Sequence, residues 1–393
     1  MIGSVIIIGA GIVGASCARS LATRGVDVTV IDRSAAVSGT TAGGEGNLLV
    51  SDKAPGSELT MALHAAALWP RLSAELANEL GTFPDMEYEQ KGGLVVATTA
   101  AGASPLLSFA TAQRDAGVQT EELTIADALR LEPDLNPAIT AAVFYPQDSQ
   151  VQPVIAAEAL LASARRHDAR VLQNAPITGP VLSADGALVG VTTPTETVRA
   201  DAVVIAAGPW SGEVARTLGV LLPVFPRRGI VLVTSRMRHR VFHKVYDADY
   251  VGAVGSDDAA LQTSSVVEST AAGTVLIGSS RQQIGFDASM RTEVMAEIAA
   301  KALRLFPFLA DHQVMRAYGG FRPFMPDHLP LVGPDHRLPG LWHATGHEGA
   351  GIGLAPVTGD LIAAMMVGAE PELDVAPYSP SRASLAPFLT EVA

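Results

Sequence analysis

The stretch Ser4-Val-Ile-Ile-Ile-Gly-Ala-Gly-Ile-Val-Gly-Ala-Ser-Cys-Ala-Arg-Ser-Leu-Ala-Thr-Arg-Gly-Val-Asp-Val-Thr-Val-Ile-Asp32 determines the first part of the fold. Its first five residues form a short apolar run, which is typical of a central parallel strand buried on both faces. The run leads into Gly9-Ala-Gly-Ile-Val-Gly14 and then into a helix-like segment over residues 15–24. A second apolar segment over residues 26–31 closes on Asp32. The stretch therefore predicts a strand, a glycine turn, a helix and a second strand in succession.

The three glycines of this turn have different physical roles. The first permits a tight turn, the second lets the backbone approach a pyrophosphate, and the third lets the helix pack closely on the strand. The helix N-terminus offers free N–H groups to phosphates, and Asp32 is placed to accept hydrogen bonds from an adenosine ribose. Because the strand, the helix and the closing acidic residue are all present, the stretch predicts a cofactor that carries adenine.

Composition restricts the fold and the class of ligand. With 393 residues, 48% of them hydrophobic, the chain is long enough to bury a large core and to form two domains. Helical patterns alternate with short apolar strands, which predicts an α/β fold. The net charge of -13 argues against nucleic acid, because a protein that binds phosphate backbones needs a concentrated basic face.

Cysteine content and hydropathy bear on the compartment. Cys17 is the single cysteine, so the chain forms no intramolecular disulfide and cannot hold an iron–sulfur cluster alone. The apolar segment 5–18 lacks the basic start of a signal peptide, and no stretch reaches the length expected of a membrane span. We therefore expect a soluble, cytoplasmic protein without a membrane span.

Three later segments distinguish a flavin from a nicotinamide. Residues 38–47 form a loop of small and hydroxyl-bearing residues that is suited to wrapping an extended cofactor. A hairpin between Leu188 and Arg199 precedes the buried strand of segment 201–210, so antiparallel strands interrupt the first sheet. A strand over 341–345 then meets a second glycine loop and a helix over 354–367. This layout favours FAD, and a nicotinamide dehydrogenase is the alternative from another class.

Four motifs, taken together, resemble a known family. They are the N-terminal glycine motif, Ala206-Ala-Gly-Pro-Trp210, Gly319-Gly-Phe-Arg-Pro323 and Gly346-His-Glu-Gly-Ala-Gly-Ile-Gly-Leu-Ala-Pro356. Their order resembles that of the D-amino-acid oxidase and glycine oxidase family of flavoenzymes. Within it, the stretch Gly44-Glu-Gly-Asn-Leu-Leu-Val-Ser-Asp-Lys53 is most similar to the catalytic (beta) subunits of opine and D-hydroxyproline dehydrogenases.

The resemblance implies a two-domain α/β architecture. One domain is a Rossmann-like, glutathione-reductase-like FAD-binding domain, and the other is an α+β substrate domain built on an antiparallel sheet. We assign residues 1–80, 145–215 and 318–375 to the FAD-binding domain, 81–144 and 216–317 to the substrate domain, and 376–393 to a C-terminal tail.

The resemblance also implies the reaction. It is FAD-dependent oxidation of a small amino acid or secondary amine that carries a carboxylate, such as D-hydroxyproline, proline, an opine or a sarcosine-like compound, to the imine. Electrons would pass to partner subunits or another acceptor, and an oxygen-using glycine or D-amino-acid oxidase is the alternative. The implied assembly is a hetero-oligomer with flavin and iron–sulfur subunits, or a homo-oligomer.

Four residues are predicted to act on the substrate. The family places the carboxylate-binding arginine at Arg322, where a planar guanidinium suits a carboxylate. His347 and Glu348 either orient the substrate amine or satisfy the loop backbone. Tyr250 either caps the pocket or packs in the core. No metal site is predicted, because the second histidine of a His-Glu-x-x-His motif is replaced by Gly351.

Three further histidines, His64, His328 and His343, are interpreted as structural. We predict that FAD is bound non-covalently, because Cys17 lies in the first helix and the loop of residues 40–47 has no histidine. The predicted cofactor-binding residues are Gly9, Ala10, Gly11, Ile12, Val13, Gly14, Asp32, Arg33, Thr40, Thr41, Gly44, Glu45, Gly46, Asn47, Ala207, Gly208, Trp210, Gly346, Gly349, Ala350, Gly351, Ile352 and Gly353.

Overall fold

The computed structural model describes residues 2–389, apart from the side chains of three residues in one short helix. Its strands are β1 (Ser4–Ile8), β2 (Asp27–Ile31), β3 (Asn47–Leu48), β4 (Gly93–Ala97), β5 (Glu121–Leu123), β6 (Ala141–Tyr145), β7 (Ser149–Gln150), β8 (Arg170–Leu172), β9 (Gly179–Leu182), β10 (Leu188–Thr192), β11 (Thr197–Arg199), β12 (Ala202–Ile205), β13 (Phe225–Thr234), β14 (Lys244–Asp247), β15 (Gln262–Ser269), β16 (Val275–Arg281), β17 (Val314–Phe324), β18 (Leu331–Pro334) and β19 (Leu341–Thr345). Its helices are α1 (Ile12–Ala22), α2 (Ser57–Leu80), α3 (Ala100–Asp115), α4 (Ile125–Leu131), α5 (Pro153–Arg166), α6 (Ser211–Thr217), α7 (Asp249–Val254), α8 (Thr292–Leu305) and α9 (Gly351–Val367).

The first sheet contains the predicted strand–turn–helix–strand unit. Its order is β18-β19-β12-β1-β2-β8, in which β1 pairs in parallel with both β2 and β12. The strands of this sheet come from distant parts of the chain. For example, β2 and β8 are neighbours although more than 130 residues separate them. The predicted hairpin is formed by β10 and β11, which pair antiparallel.

Helices α1, α2, α5 and α9 pack together on this sheet. The segment Glu348–Val367 has 20 residues and a mean hydropathy of 1.6, so by length and composition it is able to cross a membrane. The expectation that no stretch reaches that length is therefore wrong. Because 61% of its most apolar stretch of 18 residues is buried, and α9 packs against α1 and α2, its apolar composition is that of a core helix.

The second sheet is mixed and mainly antiparallel, with the order β17-β13-β16-β15-β14-β4-β6-β5. Only one of its pairs among the described strands, β14 with β4, is parallel. Helix α8 covers one face and begins at Thr292. It does not extend back to Asp287, because the Asp287 carboxylate accepts a hydrogen bond from the Ser289 backbone amide at 2.9 Å, which favours a turn over a helix. The α/β class and the antiparallel substrate sheet are confirmed.

Strand β17 carries the predicted site residue Arg322 within the second sheet. It pairs with β13 from Val314 to Phe324, so the predicted domain boundary at residue 318 falls inside a continuous strand. Residues up to Phe324 therefore belong to the substrate-domain sheet. This long strand brings the second sheet against the cofactor loop that follows β2.

Candidate active site

The turn after β1 permits a close approach of three backbone segments. Gly9 has a φ of +114°, and a Cβ placed on it would lie 2.4 Å from the carbonyl oxygen of Ala206. A Cβ on Gly14 would lie 1.9 Å from the carbonyl oxygen of Gly9. Only glycine fits at either position, so the turn after β1, the start of α1 and the turn after β12 touch one another.

The N-cap residue of α1 contributes no side-chain cap, and this end of the helix lines a cavity. Gly11 is its N-cap residue, and the first turn contains no acidic side chain. The Ile12 amide donates to the Thr41 hydroxyl at 3.1 Å. The Asp32 carboxylate accepts a hydrogen bond from the Ala10 amide at 2.8 Å, so it fixes the glycine turn as well as lining the cavity. Such a positively polarised helix end suits a pyrophosphate.

The cavity has a volume of about 520 Å³ and runs between the two sheets. Ala175 and Ile177 line it near the end of β2, and Arg322 lines it where β17 meets the start of α9. The predicted residues that line it are Gly9, Gly11, Ile12, Val13, Asp32, Arg33, Thr40, Thr41, Gly44, Glu45, Asn47, Ala207, Gly208, Trp210, Arg322, His347, Glu348, Gly349, Gly351 and Ile352. A cavity lined by a glycine cradle and by the N-terminus of a helix fits FAD.

The other predicted cofactor residues lie beside the cavity and shape its walls. A Cβ on Gly46 would lie 1.9 Å from the carbonyl oxygen of Val151, and one on Gly346 would lie 2.4 Å from Met325. Ala350 and Gly353 line a smaller neighbouring cavity. Ala10 and Gly14 fix the first turn through the contacts already described. These residues permit close backbone packing without lining the main cavity.

The loop of residues 40–47 connects the two sheets. The Thr40 hydroxyl donates to the carbonyl of Phe321 at 2.7 Å, and the Tyr318 hydroxyl donates to the carbonyl of Gly44 at 3.2 Å. A Cβ on Gly43 would lie 2.9 Å from the Cα of Gly320. This close approach explains why the loop consists of small residues, and it positions residues 44–47 at the cavity.

Arg322 has a fixed position on the cavity wall. Its Nη1 atom donates to the carbonyl of Ser280 at 2.8 Å. The guanidinium occupies the space that a side chain would fill at Gly229, because a Cβ there would lie 2.3 Å from Nη1. A Cβ on Gly349 would lie 3.5 Å from Nε, an ordinary contact. The glycine at 229 therefore makes room for the guanidinium on the neighbouring strand. Nothing in the sequence around Gly229 indicated this role.

His347 is buried and uncharged at the start of α9. Its Nε2 atom lies 2.9 Å from the Thr358 hydroxyl, and that hydroxyl donates its proton to the carbonyl of Leu354. Nε2 therefore carries the proton and donates to Thr358, which leaves Nδ1 as an acceptor. Burial lowers the pKa of His347 to about 3.

Glu348 forms a network that sequence reasoning missed. Its Oε1 atom lies 2.8 Å from Nδ1 of His328, and its Oε2 atom lies 3.7 Å from the fully buried guanidinium of Arg227. The Glu348 carboxylate is the main reason that the pKa of His328 is raised to about 9, and Asp257 adds to the effect. Both Glu348 and His328 have positive φ values, 47° and 56°, a strained conformation that is often found at functional sites.

Aromatic rings cover part of the cavity. Trp210 stacks on Phe286 with ring centroids 5.3 Å apart, and Phe286 meets Phe321 edge-on at 5.3 Å. The Arg33 guanidinium lies 4.3 Å above the Trp210 ring. Trp210 and Arg33 were predicted from the sequence, whereas Phe286 comes from a distant loop without a motif.

The remaining predicted residues lie outside the cavity or outside the description. Tyr250 is in α7, and its side chain lies outside the described residues. His64 pairs with Glu372 at 2.8 Å, and His343 is buried beside Asp335 at 2.7 Å. Cys17 is buried in α1 and does not line the cavity. Within residues 2–389, no group of three or more His, Cys, Asp or Glu side chains is arranged to hold a metal.

Comparison with known proteins identifies the family. The sequence model of the family described as DAO, FAD dependent oxidoreductase, matches residues 4–365. The glycine oxidase of Pseudomonas aeruginosa is 31% identical over 383 residues, which cover 96% of this chain and 98% of that protein. The crystal structure of glycine oxidase from Geobacillus kaustophilus has a TM-score of 0.87 and 27% identity, and the match covers 96% of this chain and 98% of that chain.

A third comparison supports the fold alone. The crystal structure of L-proline dehydrogenase from P. horikoshii has a TM-score of 0.84 at 22% identity, and the match covers 96% of each chain.

The predictions of the cofactor FAD and of an oxidoreductase are confirmed by the family match, which excludes the nicotinamide alternative. Since that match spans nearly the whole sequence, the chain belongs to the DAO family of FAD-dependent oxidoreductases, as its glycine motifs predicted.

Proposed function

We propose that this protein oxidises a small amino acid or secondary amine that carries a carboxylate, by removing a hydride from the carbon that bears the nitrogen. The observation that carries the proposal is the guanidinium of Arg322, which is held on the cavity wall by Ser280. The glycine oxidase relatives support a small amino acid as substrate. Proline, D-hydroxyproline, sarcosine and opines are the candidates that the sequence motifs favour.

When bound, FAD supplies the hydride acceptor. The chain itself must hold the substrate, exclude water and balance charge. Arg322 binds the substrate carboxylate through its planar fork and so fixes the position of the adjacent carbon. The α9 N-terminus, which has no capping side chain, adds partial positive charge at the same end of the cavity. His347 is uncharged here and contributes no competing cation.

The first experiment records the visible spectrum of the purified protein before and after anaerobic addition of sarcosine, the isomers of proline and hydroxyproline, and opines. Bleaching of the flavin spectrum by one of these compounds supports the proposal, and splitting the mixture identifies the substrate. A flavin spectrum that no carboxylate-bearing amine bleaches contradicts it.

The variant Arg322→Lys tests whether Arg322 binds the substrate carboxylate. Lysine keeps the charge but cannot bind a carboxylate with two parallel bonds, and charge-assisted hydrogen bonds contribute about 1.5–3 kcal/mol each. We therefore expect KM to rise at least ~10-fold with unchanged FAD content. Arg316→Lys is the matched control, because Arg316 is exposed on the same strand, where its guanidinium lies 4.9 Å from the Tyr318 ring. Equal kinetics in the wild type and Arg322→Lys would refute the role.

The electron acceptor defines a second candidate function. The glycine oxidase relatives favour an oxidase that uses oxygen, whereas the stretch of residues 44–53 favours a dehydrogenase that passes electrons to partner subunits. Oxygen consumption with stoichiometric hydrogen peroxide would support the oxidase. Turnover with an artificial dye but not with oxygen would support the dehydrogenase.

A further inference from the structure

Glu45 lines the same cavity as Arg322, and its carboxylate contacts the second sheet. Its Oε1 atom is 2.1 Å from the position that a Cβ would take on Gly278 of β16. The side chain therefore extends from the loop of residues 40–47 into a notch that exists only because residue 278 is glycine. Glu45 and Arg322 place opposite charges on the lining of a single cavity.

The carboxylate of Glu45 has few hydrogen-bond donors within the protein. Oε2 accepts one long hydrogen bond, 3.3 Å, from the side-chain amide nitrogen Nδ2 of Asn47. Oε1 is shielded from solvent and accepts no hydrogen bond from any residue that the structure describes. A carboxylate has about four acceptor sites, and a buried one is costly without donors. A donor supplied by a ligand would satisfy this atom.

Charged and titratable groups surround Glu45 on three strands of the second sheet. They are Lys244 on β14, Arg281 on β16, and Arg322 and Tyr318 on β17. Burial raises the pKa of Glu45, although Lys244, Arg322 and Arg281, in that order, oppose the rise. Burial also lowers the pKa of Lys244, whose ammonium forms a buried ion pair with Glu268. Glu45 is thus a carboxylate disposed to take up a proton.

Resting on the proposed function, we propose that Glu45 binds the ammonium group of a zwitterionic amino acid whose carboxylate is bound by Arg322, and accepts its proton before oxidation. The N–H bond of the ammonium breaks, its electron pair stays on nitrogen, and the proton forms a bond to a carboxylate oxygen of Glu45. The products are a neutral amine and a protonated Glu45. Only the neutral amine has the lone pair that assists the loss of hydride from the adjacent carbon.

This arrangement defines the substrate class. Arg322 and Glu45, which line the same cavity and interact electrostatically, match one carboxylate and one primary or secondary ammonium on the ligand. An acid that has an ether oxygen in place of the amine would still contact Arg322 but would offer Glu45 no donor.

The test is the isosteric variant Glu45→Gln, measured as the FAD-loaded protein. Binding of proline and sarcosine is compared with binding of tetrahydro-2-furoate and methoxyacetate, which replace the amine by an ether oxygen. At pH 7 we expect the Kd of the amines to rise at least tenfold, while the Kd of the ethers changes less than twofold. For the amine that bleaches the flavin, the rate deficit should shrink as the pH approaches the ordinary pKa of the amine.

Glu89→Gln is the matched control. Glu89 pairs with Lys91 at 3.0 Å in the same charged cluster around Lys244, but it does not line the cavity. We expect its binding and pH profile to match the wild type. If Glu45→Gln loses FAD, Glu45→Asp takes its place. Aspartate keeps the charge but withdraws the carboxylate, so the Kd of the amines should again rise while the Kd of the ethers stays unchanged.

The outcomes distinguish the role of Glu45 from the proposed amine oxidation. Equal weakening of amine and ether ligands would mean that Glu45 only balances Arg322 electrostatically, and unchanged amine binding would remove Glu45 from the site; either result overturns the inference. A wild-type protein whose flavin no amine reduces would contradict the proposed function, while the binding comparison would still decide the role of Glu45.

Discussion

The variant Gly229→Ala moves the guanidinium of Arg322 without changing any charge. A Cβ at residue 229 would lie 2.3 Å from Nη1 and 2.9 Å from Cζ of Arg322, against an ordinary contact of at least 3.4 Å. The guanidinium must therefore retreat by about 1 Å. Misplacement of a substrate-positioning group by about 1 Å costs on the order of 100-fold in rate, which corresponds to about 2.7 kcal/mol. We expect kcat/KM to fall by roughly that factor.

Stability should respond much less than activity. The nearest atoms belong to the far end of a flexible side chain, and glycine-to-alanine changes in a compatible strand recover about 0.4–1 kcal/mol of chain entropy. We expect the free energy of unfolding to change by less than about 1 kcal/mol and the FAD content to stay the same. The assay combines anaerobic reduction kinetics with urea unfolding.

Gly179→Ala is the matched control for this variant. Gly179 also lies in a strand, β9, where the added Cβ would meet the Thr192 hydroxyl at an ordinary 3.4 Å. Its kinetics should equal those of the wild type. If Gly229→Ala retains full activity, the position of the guanidinium does not limit the reaction. If it unfolds the protein, the guanidinium is not free to move, and the reasoning from its flexibility fails.

Two further predictions concern the cofactor turn and acid stability. Asp32→Ala removes the acceptor of the Ala10 backbone amide, so we expect the Kd for FAD, measured by fluorescence titration, to rise ~10-fold or more. An unchanged Kd would show that the glycine turn keeps its conformation without Asp32. His347 has a pKa of about 3 in the folded chain, so below pH 6.5 only the unfolded chain takes up a proton there, and stability falls by about 2 kcal/mol between pH 7 and pH 5. The variant His347→Gln should lose that part of the decrease in urea unfolding, and an equally steep decrease would contradict the assignment.

Local patterns were sufficient to predict the cofactor turn. Gly9 and Gly14 are required by contacts within one strand–helix unit and its neighbouring strand, and such contacts recur wherever this unit binds a dinucleotide. The helix after the turn begins at Ile12, three residues before the predicted start, because the turn ends at Gly11. The motif that contains Arg322 was readable because neighbouring glycine and proline residues mark it.

Local patterns were insufficient where contacts depend on sheet register. Gly229 pairs with Gly320 in the antiparallel register of β13 and β17, so the side chain of Arg322, two residues further along β17, packs diagonally over it. No feature of residues 225–234 indicates that pairing. His328 was interpreted as a structural residue, but its contact with Glu348 joins two separate loops at the cavity. The apolar composition of α9 is compatible with both a membrane span and a core helix. Its packing against α1 identifies it as a core helix.

The sequence by itself determined the cofactor, the family and the two kinds of sheet, because glycine geometry and hydrophobic periodicity act over a few residues. The tertiary structure alone decided which side chains share the substrate end of the cavity. Glu45, Gly278 and Arg322 are separated by tens to hundreds of residues, and they meet because the register of two sheets and the loop between them brings them together. Burial then alters their proton affinities, a property that depends on the surrounding atoms and not on neighbours in the chain.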